Sequence, residues 1–326
     1  MTSSYVPVIH GAAPGRPDEE DTVLAAAEVA GCLAHLGYET EIVPLDLDFE
    51  PLRAIAARRP LVVFNLVEAL QGSAIAAPLA PAFLDTLGLA YTGARTAAWC
   101  DTLSKLTMKM RLSDAGIPAP RVVDGNHPVR AGARAIVKSV TEHASVGMDA
   151  GSVVAAESAA GEILAREARF GGRFFAEAFV AGREFNVALL QGVDGPEVLP
   201  IQEICFDSLP KGVPHIVDYD AKWHPESVSY VNTPRRFGLE AQEPDIAERL
   251  RDIALECWRL FGFDGYARVD FRLGKDGTAY VLEVNANPCL ASDAGFMAAA
   301  VAAGLTPETV IERIVSAAAG CLERAA

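Results

Sequence analysis

Residues 266–285 read YARVDFRLGKDGTAYVLEVN: two stretches rich in alternating apolar and polar residues, separated by the turn sequence GKDG at 274–277. Side chains of a β-strand point alternately to its two faces, and a short glycine-containing turn between two such stretches predicts an antiparallel hairpin. In the first stretch the alternation places Arg268 and Asp270 on one face. The segment therefore predicts an antiparallel sheet in the second half of the chain.

The register of this hairpin determines which polar side chains meet. The four-residue turn predicts three pairs across the hairpin: Leu273 with Thr278, Asp270 with Val281, and Arg268 with Glu283. Four side chains then share one face: Arg268, Asp270, Glu283 and Asn285. Val281 is expected on the face of Glu283, with Leu282 on the opposite face.

Two carboxylates and an amide oxygen beside an arginine suit a hard cation such as Mg²⁺ better than zinc or copper. Asp270, Glu283 and Asn285 are the predicted ligands, and Arg268 would stabilise negative charge that develops during phosphoryl or acyl transfer. The same pattern also fits a solvated ribbon on which acids and arginines merely pair.

The residues that follow the hairpin favour the metal site over the solvated ribbon. Glu-Val-Asn-x-x-Pro at 283–288, after an Arg-x-Asp strand, resembles the C-terminal signature of the ATP-grasp enzymes, in particular the D-alanine–D-alanine ligase branch. The likeness runs from about residue 91 to residue 297. It implies three units: an N-terminal parallel α/β unit (1–94), a small central α+β unit (95–175) and a C-terminal antiparallel sheet with helices that carries the metal site (176–326).

Local sequence patterns agree with this order of three units. Alternating strand and helix signals in the first ninety residues predict a parallel, helix-covered sheet, with strands at 5–10, 39–45 and 60–66 and helices at 21–36 and 74–87. In the central unit, Asp101 or Thr102 is the expected cap of a helix that ends at Gly116. Two strands and a helix follow, at 135–139, 153–155 and 157–170.

Strands dominate the remaining third of the chain. We predict that one antiparallel sheet contains five of them, at 174–180, 184–191, 198–206, 266–273 and 278–285. Helices at 243–260 and 307–322 are expected to cover this sheet. The long polar connection at 210–234 is typical of a functional loop or of a disordered one.

The resemblance also implies an ATP site. Lys105 and Lys138 match the two lysines that contact the phosphates in the family. Ser145 matches the small-residue loop that closes over them, and Lys222 the lysine of a mobile loop that reaches the transferred phosphate, so the resemblance implies a catalytic role for both. Backbone amides of such a loop plus two lysines would hold a triphosphate that an acidic protein otherwise repels. Without the resemblance, the same residues also fit two surface lysines and an ordinary turn.

The adenosine half of ATP is matched by a second segment. In residues 175–185, Glu177 and the backbone near Ala178 and Val180 correspond to the family's contacts with adenine, and Glu184 to its contact with the ribose hydroxyls. The implied cofactors are ATP and one or two Mg²⁺ ions, for which Mn²⁺ is able to substitute.

The part of the family pattern that holds the substrates is different here. Glu19 matches only approximately the glutamate that grips the first amino acid, and Glu68 is the acid expected to face the cleft from the second loop. The serine-leucine pair that holds the carboxylate of the second D-alanine falls at Ala294 and Gly295, and Asp293 just before it would repel a carboxylate. Substrates other than two D-alanines are therefore expected.

The resemblance implies an ATP- and Mg²⁺-dependent ligase that joins a small-molecule carboxylate to an amine through an acyl phosphate. Two alternatives stay open: an ATP-grasp enzyme that uses the acyl phosphate for another reaction, and a nucleotide-binding homologue without catalysis. A homodimer is also implied. Cys289 and His143 fit a small buried residue and a local hydrogen-bonding group better than a nucleophile and a catalytic base.

Composition excludes other classes of partner. The 326 residues have a formal charge of −15, which opposes nucleic acid or an anionic membrane as the main partner. No apolar run reaches the roughly 20 residues that a membrane helix needs. Residues 1–5 lack the blocks of an export signal, and the six scattered cysteines fit reduced thiols, so a cytoplasmic protein is expected.

Overall fold

The computed structural model describes residues 4–11, 15, 17–123 and 132–325, and the strands within these ranges form three sheets. The first sheet is parallel and has the order β2-β1-β3. Its elements are β1 (Val8–Gly11), α1 (Pro17–His35), β2 (Ile42–Leu45), α2 (Glu50–Ala57), β3 (Phe64–Asn65) and α3 (Leu79–Thr86). The predicted parallel α/β unit is thereby confirmed, although its strands are shorter than the apolar runs suggested.

The second sheet is small and antiparallel, with the order β5-β4-β6. It contains β4 (Arg134–Ser139), β5 (Val153–Ala155) and β6 (Phe174–Ala178), and it is preceded by α4 (Thr96–Leu103) and α5 (Lys105–Asp114) and packed by α6 (Ala159–Phe170). The prediction that residues 174–180 belong to the C-terminal sheet was wrong. The alternation of apolar residues in β6 is compatible with the central sheet and with the C-terminal one. Only its pairing with β4 places it in the central sheet.

The entry to α5 also differs from the prediction. The cap is Ser104, whose side chain accepts a hydrogen bond from the Thr107 amide, rather than Asp101 or Thr102. The expected single helix is therefore divided into α4 and α5 by Ser104, whose extended backbone interrupts the helical path. This break matters because Lys105 becomes the first residue of α5.

The third sheet is antiparallel, with the order β10-β9-β7-β11-β12, and β8 pairs with β7. Its strands are β7 (Gly182–Gln191), β8 (Pro196–Val198), β9 (Gln202–Ile204), β10 (Arg235–Arg236), β11 (Tyr266–Gly274) and β12 (Ala279–Asn285). The single strand expected at 198–206 is divided into β8 and β9, because Pro200 lies between them and has no N–H for a sheet hydrogen bond.

Helices lie between the strands of this sheet along the chain and after them, and some of these helices pack against it. They are α7 (Tyr219–Trp223), α8 (Val228–Val231), α9 (Leu239–Gln242), α10 (Pro244–Phe261), α11 (Gly295–Ala302) and α12 (Pro307–Ala325). The connection at 210–234 is thus partly helical. Among the described residues, no helix combines the length and apolarity needed to cross a bilayer.

The register of β11 and β12 contradicts all three predicted pairs, since Leu273 pairs with Ala279 and Arg268 with Asn285. Asp270 lies opposite Glu283 and Phe271 opposite Val281, so Leu282 is the extra residue of a β-bulge. The bulge turns Leu282 and Glu283 toward the same side, whereas Val281 is buried in the core. A strict two-residue alternation cannot anticipate this inserted residue.

The two faces of this sheet have different roles. One face packs against α10 in a core that includes Val187, Val269 and Phe271. The opposite face packs against α11 and α12 near the end of β11 that begins with Tyr266. Farther along the same face, polar side chains of β7, β11 and β12 line a cavity.

Candidate active site

A cavity of about 510 Å³ is lined by residues of all three sheets and of the segments that connect them. Lys138 comes from β4, Glu184 from β7 and Asp270 from β11, and the N-terminal unit contributes Glu68. A concave site between structural units that collects charged side chains is a good candidate for an active site.

The centre of the cavity is an ion pair on β11. The Arg268 guanidinium donates from Nε to Asp270 Oδ1 at 2.8 Å and from Nη2 to Oδ2 at 2.9 Å. Asn186 and Asn285 each donate a side-chain N–H to the same carboxylate, at 2.8 and 3.0 Å. The strand periodicity thus holds both charged groups on one face, as predicted, and two amides fix their orientation.

Glu283 faces the same cavity from β12 and is surrounded by cationic or donor groups. Lys105 Nζ lies 3.1 Å from its Oε1, and His143 Nδ1 lies 2.9 Å from the same oxygen. Burial alone would raise the pKa of the Glu283 carboxyl, but Lys105 and His143 together hold that pKa well below its usual value. Glu283 is therefore a carboxylate, and His143 Nδ1 is the donor in their hydrogen bond.

The types of these side chains suit a magnesium ion, and their role as its ligands stays a prediction. Among the described residues, no three His, Cys, Asp or Glu side chains form a metal-binding group. Two carboxylates and an amide oxygen would leave several coordination positions to phosphate oxygens and water, which is the usual way that Mg²⁺ is bound. Because Asn285 uses its amide nitrogen on Asp270, its Oδ1 is the atom that would face a cation.

The segment that carries Lys222 is docked over the loop at 143–148. Trp223 Nε1 donates to the Ala144 carbonyl at 2.9 Å, and the Tyr219 amide donates to the Met148 carbonyl at 3.1 Å. Ser145, in a left-handed conformation with φ 61°, donates its hydroxyl to Val217 O at 2.8 Å. Its hydroxyl thus connects the two segments, and its predicted catalytic role stays a prediction.

Docking of this segment brings the Lys222 ammonium into the cavity. Burial lowers its pKa, as does the neighbouring Arg268, while Glu283 and Asp270 act in the opposite direction. No hydrogen bond joins Lys222 Nζ to another residue in the part of the chain that the structure describes. A cation placed in this way can bind an anionic group that enters the cavity.

Glu177, expected to meet the adenine, is 1% exposed and lies between two lysines. Lys109 Nζ is 2.6 Å from its Oε2 and Lys138 Nζ is 2.8 Å from its Oε1. Burial alone would raise the pKa of Glu177, but the two lysines, Lys138 first, lower it below its usual value. The carboxylate therefore orients Lys138, and its contact with a base stays a prediction.

We expect Glu177→Gln to lower the free energy of unfolding at pH 7 by about 3–5 kcal/mol, since removing one partner leaves a buried charge uncompensated. Chemical denaturation followed by circular dichroism measures this change. Because the pKa of Glu177 is lowered by folding, the difference from the wild type should be complete above about pH 4.5 and shrink as the pH falls below it.

Glu39→Gln is the matched control. Glu39 pairs with Arg58 at 2.6 Å, but their side chains are 63% and 43% exposed. An exposed pair contributes about 0.2–1 kcal/mol. Equal losses in the two variants would contradict a special role for the buried lysine pair.

The other residues expected around adenosine lie close together. Glu184 accepts from Arg272 Nη2 at 2.6 Å and borders the main cavity. Ala178 and Val180 line a separate small cavity of about 20 Å³, together with Lys138 and Arg272. This cavity is too small for an adenine ring in the described conformation, so the adenine contacts also stay predictions.

At the side of the N-terminal unit, Asp21 and Glu68 line the cavity beside Cys289. The Cys289 thiol donates to Asp21 Oδ2 at 3.0 Å, and burial followed by the nearby acids raises its pKa, which opposes a role as nucleophile. The side chain of Glu19 lies outside the described residues. Asp293 is exposed at the rim, and its main-chain oxygen accepts from Arg235.

Sequence reasoning missed several residues of the cavity. Asn186 follows Glu184 by two positions on β7, so strand alternation would have found it. His143 was expected only to be a local hydrogen-bonding group, and nothing in the sequence indicated its bond to Glu283. Asp21 and Gln202 had no local signal, because their positions depend on contacts between distant segments.

Comparisons with known proteins agree with this geometry. Residues 128–316 match the family described as D-ala D-ala ligase C-terminus. A D-alanine–D-alanine ligase of Moorella thermoacetica is 29% identical over 315 residues, covering 92% of this chain and 95% of the relative. An uncharacterized protein of Sinorhizobium fredii is 30% identical over 306 residues, covering 90% and 87%. The ATP complex of D-alanine–D-alanine ligase from Bacillus anthracis superposes with a TM-score of 0.74 at 18% identity, covering 99% of each chain.

Proposed function

The chain belongs to the D-alanine–D-alanine ligase family, and on this premise we propose that it is an ATP- and Mg²⁺-dependent ligase that joins a carboxylate to an amine. One observation carries the proposal. The Arg268–Asp270 pair and Glu283 share one cavity with Lys105, Lys138 and Lys222, although the chain has a net charge of −15. Such a concentration of cations beside two carboxylates suits a nucleoside triphosphate and its metal ion.

In the proposed reaction, an oxygen of the carboxylate substrate attacks the γ-phosphorus of ATP, and ADP leaves. The resulting acyl phosphate is attacked at its carbonyl carbon by the nitrogen of an amine, which loses a proton, and inorganic phosphate leaves with the bonding electrons. No covalent bond to the protein forms. The protein contributes positioning and electrostatic stabilisation, as phosphoryl transfer generally requires.

Each cationic side chain has a role in this scheme. Lys105 and Lys138 would hold the phosphates that remain on ADP, and Lys222 the phosphate that is transferred. Arg268, fixed by its two bonds to Asp270, would stabilise negative charge on the reacting oxygens. Mg²⁺ bound by Asp270, Glu283 and Asn285, or Mn²⁺ in its place, would neutralise phosphate charge.

We further propose that the substrates are not two D-alanines. Ala294 and Gly295 stand where the family has the serine-leucine pair for the second D-alanine. Asp21 and Glu68 border the same cavity, where they suit an ammonium group on the carboxylate substrate. Asp293 is exposed, so the repulsion expected from it does not support this part of the proposal.

Release of ADP tests the proposed function. The purified protein with ATP and Mg²⁺ is given D- and L-amino acids, singly and in pairs, and products are identified by mass spectrometry. We expect ADP formation that needs both a carboxylate and an amine and stops when Mg²⁺ is chelated. Rapid turnover with D-alanine alone would contradict the proposed substrates, and ATP binding without ADP formation by any pair would contradict catalysis.

A homodimer, which follows from the resemblance, and a cytoplasmic location, which follows from the scattered cysteines, are likewise proposals. Size-exclusion chromatography with light scattering measures the mass in solution and tests the dimer directly. A mass near 34.5 kDa, that of one chain, would contradict it.

A further inference from the structure

Arg272 on β11 is a buried cation that the reaction scheme does not use. It is 4% exposed and lies directly opposite Glu184 in the pairing of β11 with β7. Its Nη2 donates to Glu184 Oε2 at 2.6 Å, which compensates a charge that would be costly to bury alone. Arg272 also borders both the main cavity and the small one. Its position makes it a candidate for a role in ligand binding.

Main-chain and aromatic groups hold this guanidinium in place. Nη1 donates to the Gly182 carbonyl oxygen at 3.1 Å, and Nη2 donates to the His215 carbonyl oxygen at 2.8 Å. The guanidinium carbon lies over the ring of Phe206, 5.3 Å from its centroid. A planar guanidinium with several fixed contacts has little freedom to rotate. Arg272 can therefore hold the carboxylate that it contacts in one orientation.

The two carboxylate oxygens of Glu184 have different surroundings. Oε2 is bonded to Arg272, whereas Oε1 accepts no hydrogen bond from any of the residues that the structure describes. Glu184 is 8% exposed and borders the main cavity. Burial raises the pKa of its carboxyl, and Arg272 is the largest influence in the opposite direction, so Arg272 favours the carboxylate form. One oxygen is fixed, and the other is left for a donor on a ligand.

The boundary between the two cavities is the place expected for a ribose. Arg272 and Lys138 border both cavities, and the small one is also lined by Ala178 and Val180, which match the family's adenine contacts. The main cavity contains the lysines proposed to bind the phosphates. Because ribose joins the base of ATP to its phosphates, its hydroxyls are expected between these two regions. Arg272 lies at this boundary, and its partner Glu184 lies beside it.

We infer that Arg272 is a positioning residue, which fixes Glu184 so that Oε1 accepts from a ribose hydroxyl and the protein selects ribonucleotides over deoxyribonucleotides. The inference rests on the proposed binding of ATP in this cavity. The family resemblance implies the contact between Glu184 and ribose, and the structure adds its control by Arg272. Without the guanidinium, the carboxylate could turn away from the hydroxyl or take up a proton, and either change would lower the selectivity.

Affinities for ATP, 2′-deoxy-ATP and 3′-deoxy-ATP test this inference. Each nucleotide is titrated with Mg²⁺ by calorimetry into the wild type, Arg272→Met and Glu184→Gln. The wild type should bind ATP about 10- to 100-fold more tightly than the weaker deoxy form, the effect of one hydrogen bond to a charged group. Each variant should lower this ratio at least about fivefold. General damage to the site would weaken all three nucleotides together, because they share the base and the triphosphate.

The double variant shows whether Arg272 acts through Glu184. In the Glu184→Gln protein, adding Arg272→Met should leave the ratio unchanged. A further fall would mean that Arg272 contacts the nucleotide itself, which would overturn its role as a positioning residue. If Arg272→Met does not fold, Arg272→Lys keeps the charge without the planar fork and should lower the ratio by a smaller factor. A folded lysine variant with the wild-type ratio would also overturn the inference.

Arg183→Met is the control for the loss of an arginine–carboxylate pair. Arg183 precedes Glu184 on β7 and makes its two-bond contact with Glu203 outside the cavity, so this variant should keep the wild-type ratio. Failure of ATP to bind would contradict the proposed function and the inference together. If ATP binds but the wild type does not select it, or Arg272→Met keeps the wild-type ratio, only the inference is overturned.

Discussion

Glu283→Gln should lower kcat for ADP release by about 100- to 1,000-fold and raise the Mg²⁺ concentration needed for half-maximal activity. The substitution keeps the size of the side chain but removes the negative charge that faces Lys105 and His143 and that is proposed to hold the metal. Initial rates of ADP release over a Mg²⁺ titration measure both effects. The burial of the site makes the loss larger than it would be for an exposed carboxylate.

Glu248→Gln serves as the control, because Glu248 is exposed on α10 and lies outside the cavity. It should keep the wild-type rate and the wild-type Mg²⁺ dependence. A Glu283→Gln protein that is folded and retains the wild-type Mg²⁺ dependence would contradict the assignment of Glu283 as a metal ligand. Circular dichroism and thermal melting show whether the variant is folded.

Arg268→Lys should also lower kcat by about 100- to 1,000-fold, with a much smaller change in the KM for ATP. Lysine keeps the positive charge but cannot make the two parallel bonds, 2.8 and 2.9 Å long, by which Arg268 is fixed to Asp270. The loss of kcat would then show that the orientation of the positive charge matters, and not only its presence. Steady-state kinetics with varied ATP separates kcat from KM.

The chain offers a matched control for this substitution. Arg183 makes a similar two-bond contact with Glu203, at 2.7 and 3.0 Å, on the same sheet but outside the cavity. Arg183→Lys should leave kcat nearly unchanged. If Arg268→Lys raised the KM for ATP while kcat stayed constant, Arg268 would be a binding residue only, and its proposed role in stabilising reacting oxygens would be wrong.

Parts of the site that depend on local chain geometry were predictable. Arg268 and Asp270 lie two positions apart on one strand, so they share a face wherever that strand packs. The family signature identified Glu283 and Asn285, and the structure brings both to the same cavity. Their register was predicted wrongly for two reasons: Leu273 pairs with Ala279 rather than with Thr278, and the bulge at Leu282 moves the later residues of β12 by one further position.

Other features depend on which distant segments meet. The apolar pattern of β6 could not show whether it pairs with β4 or with the C-terminal sheet. Asn287, within the signature, accepts at its Oδ1 a hydrogen bond of 3.0 Å from the Ala94 N–H and so joins segments almost two hundred residues apart. No spacing of residues in the sequence predicts that contact.

The parallel order of the first unit and the antiparallel hairpin could be predicted from the sequence alone, because periodicity and turn chemistry act over a few neighbouring residues. The residues predicted to contact ATP came from the family resemblance. That Lys109 and Lys138 share Glu177, and that Glu283 binds His143, became visible only in the folded structure. These contacts join residues distant in the chain, and their energies depend on burial and mutual charge, which exist only once the units have packed together.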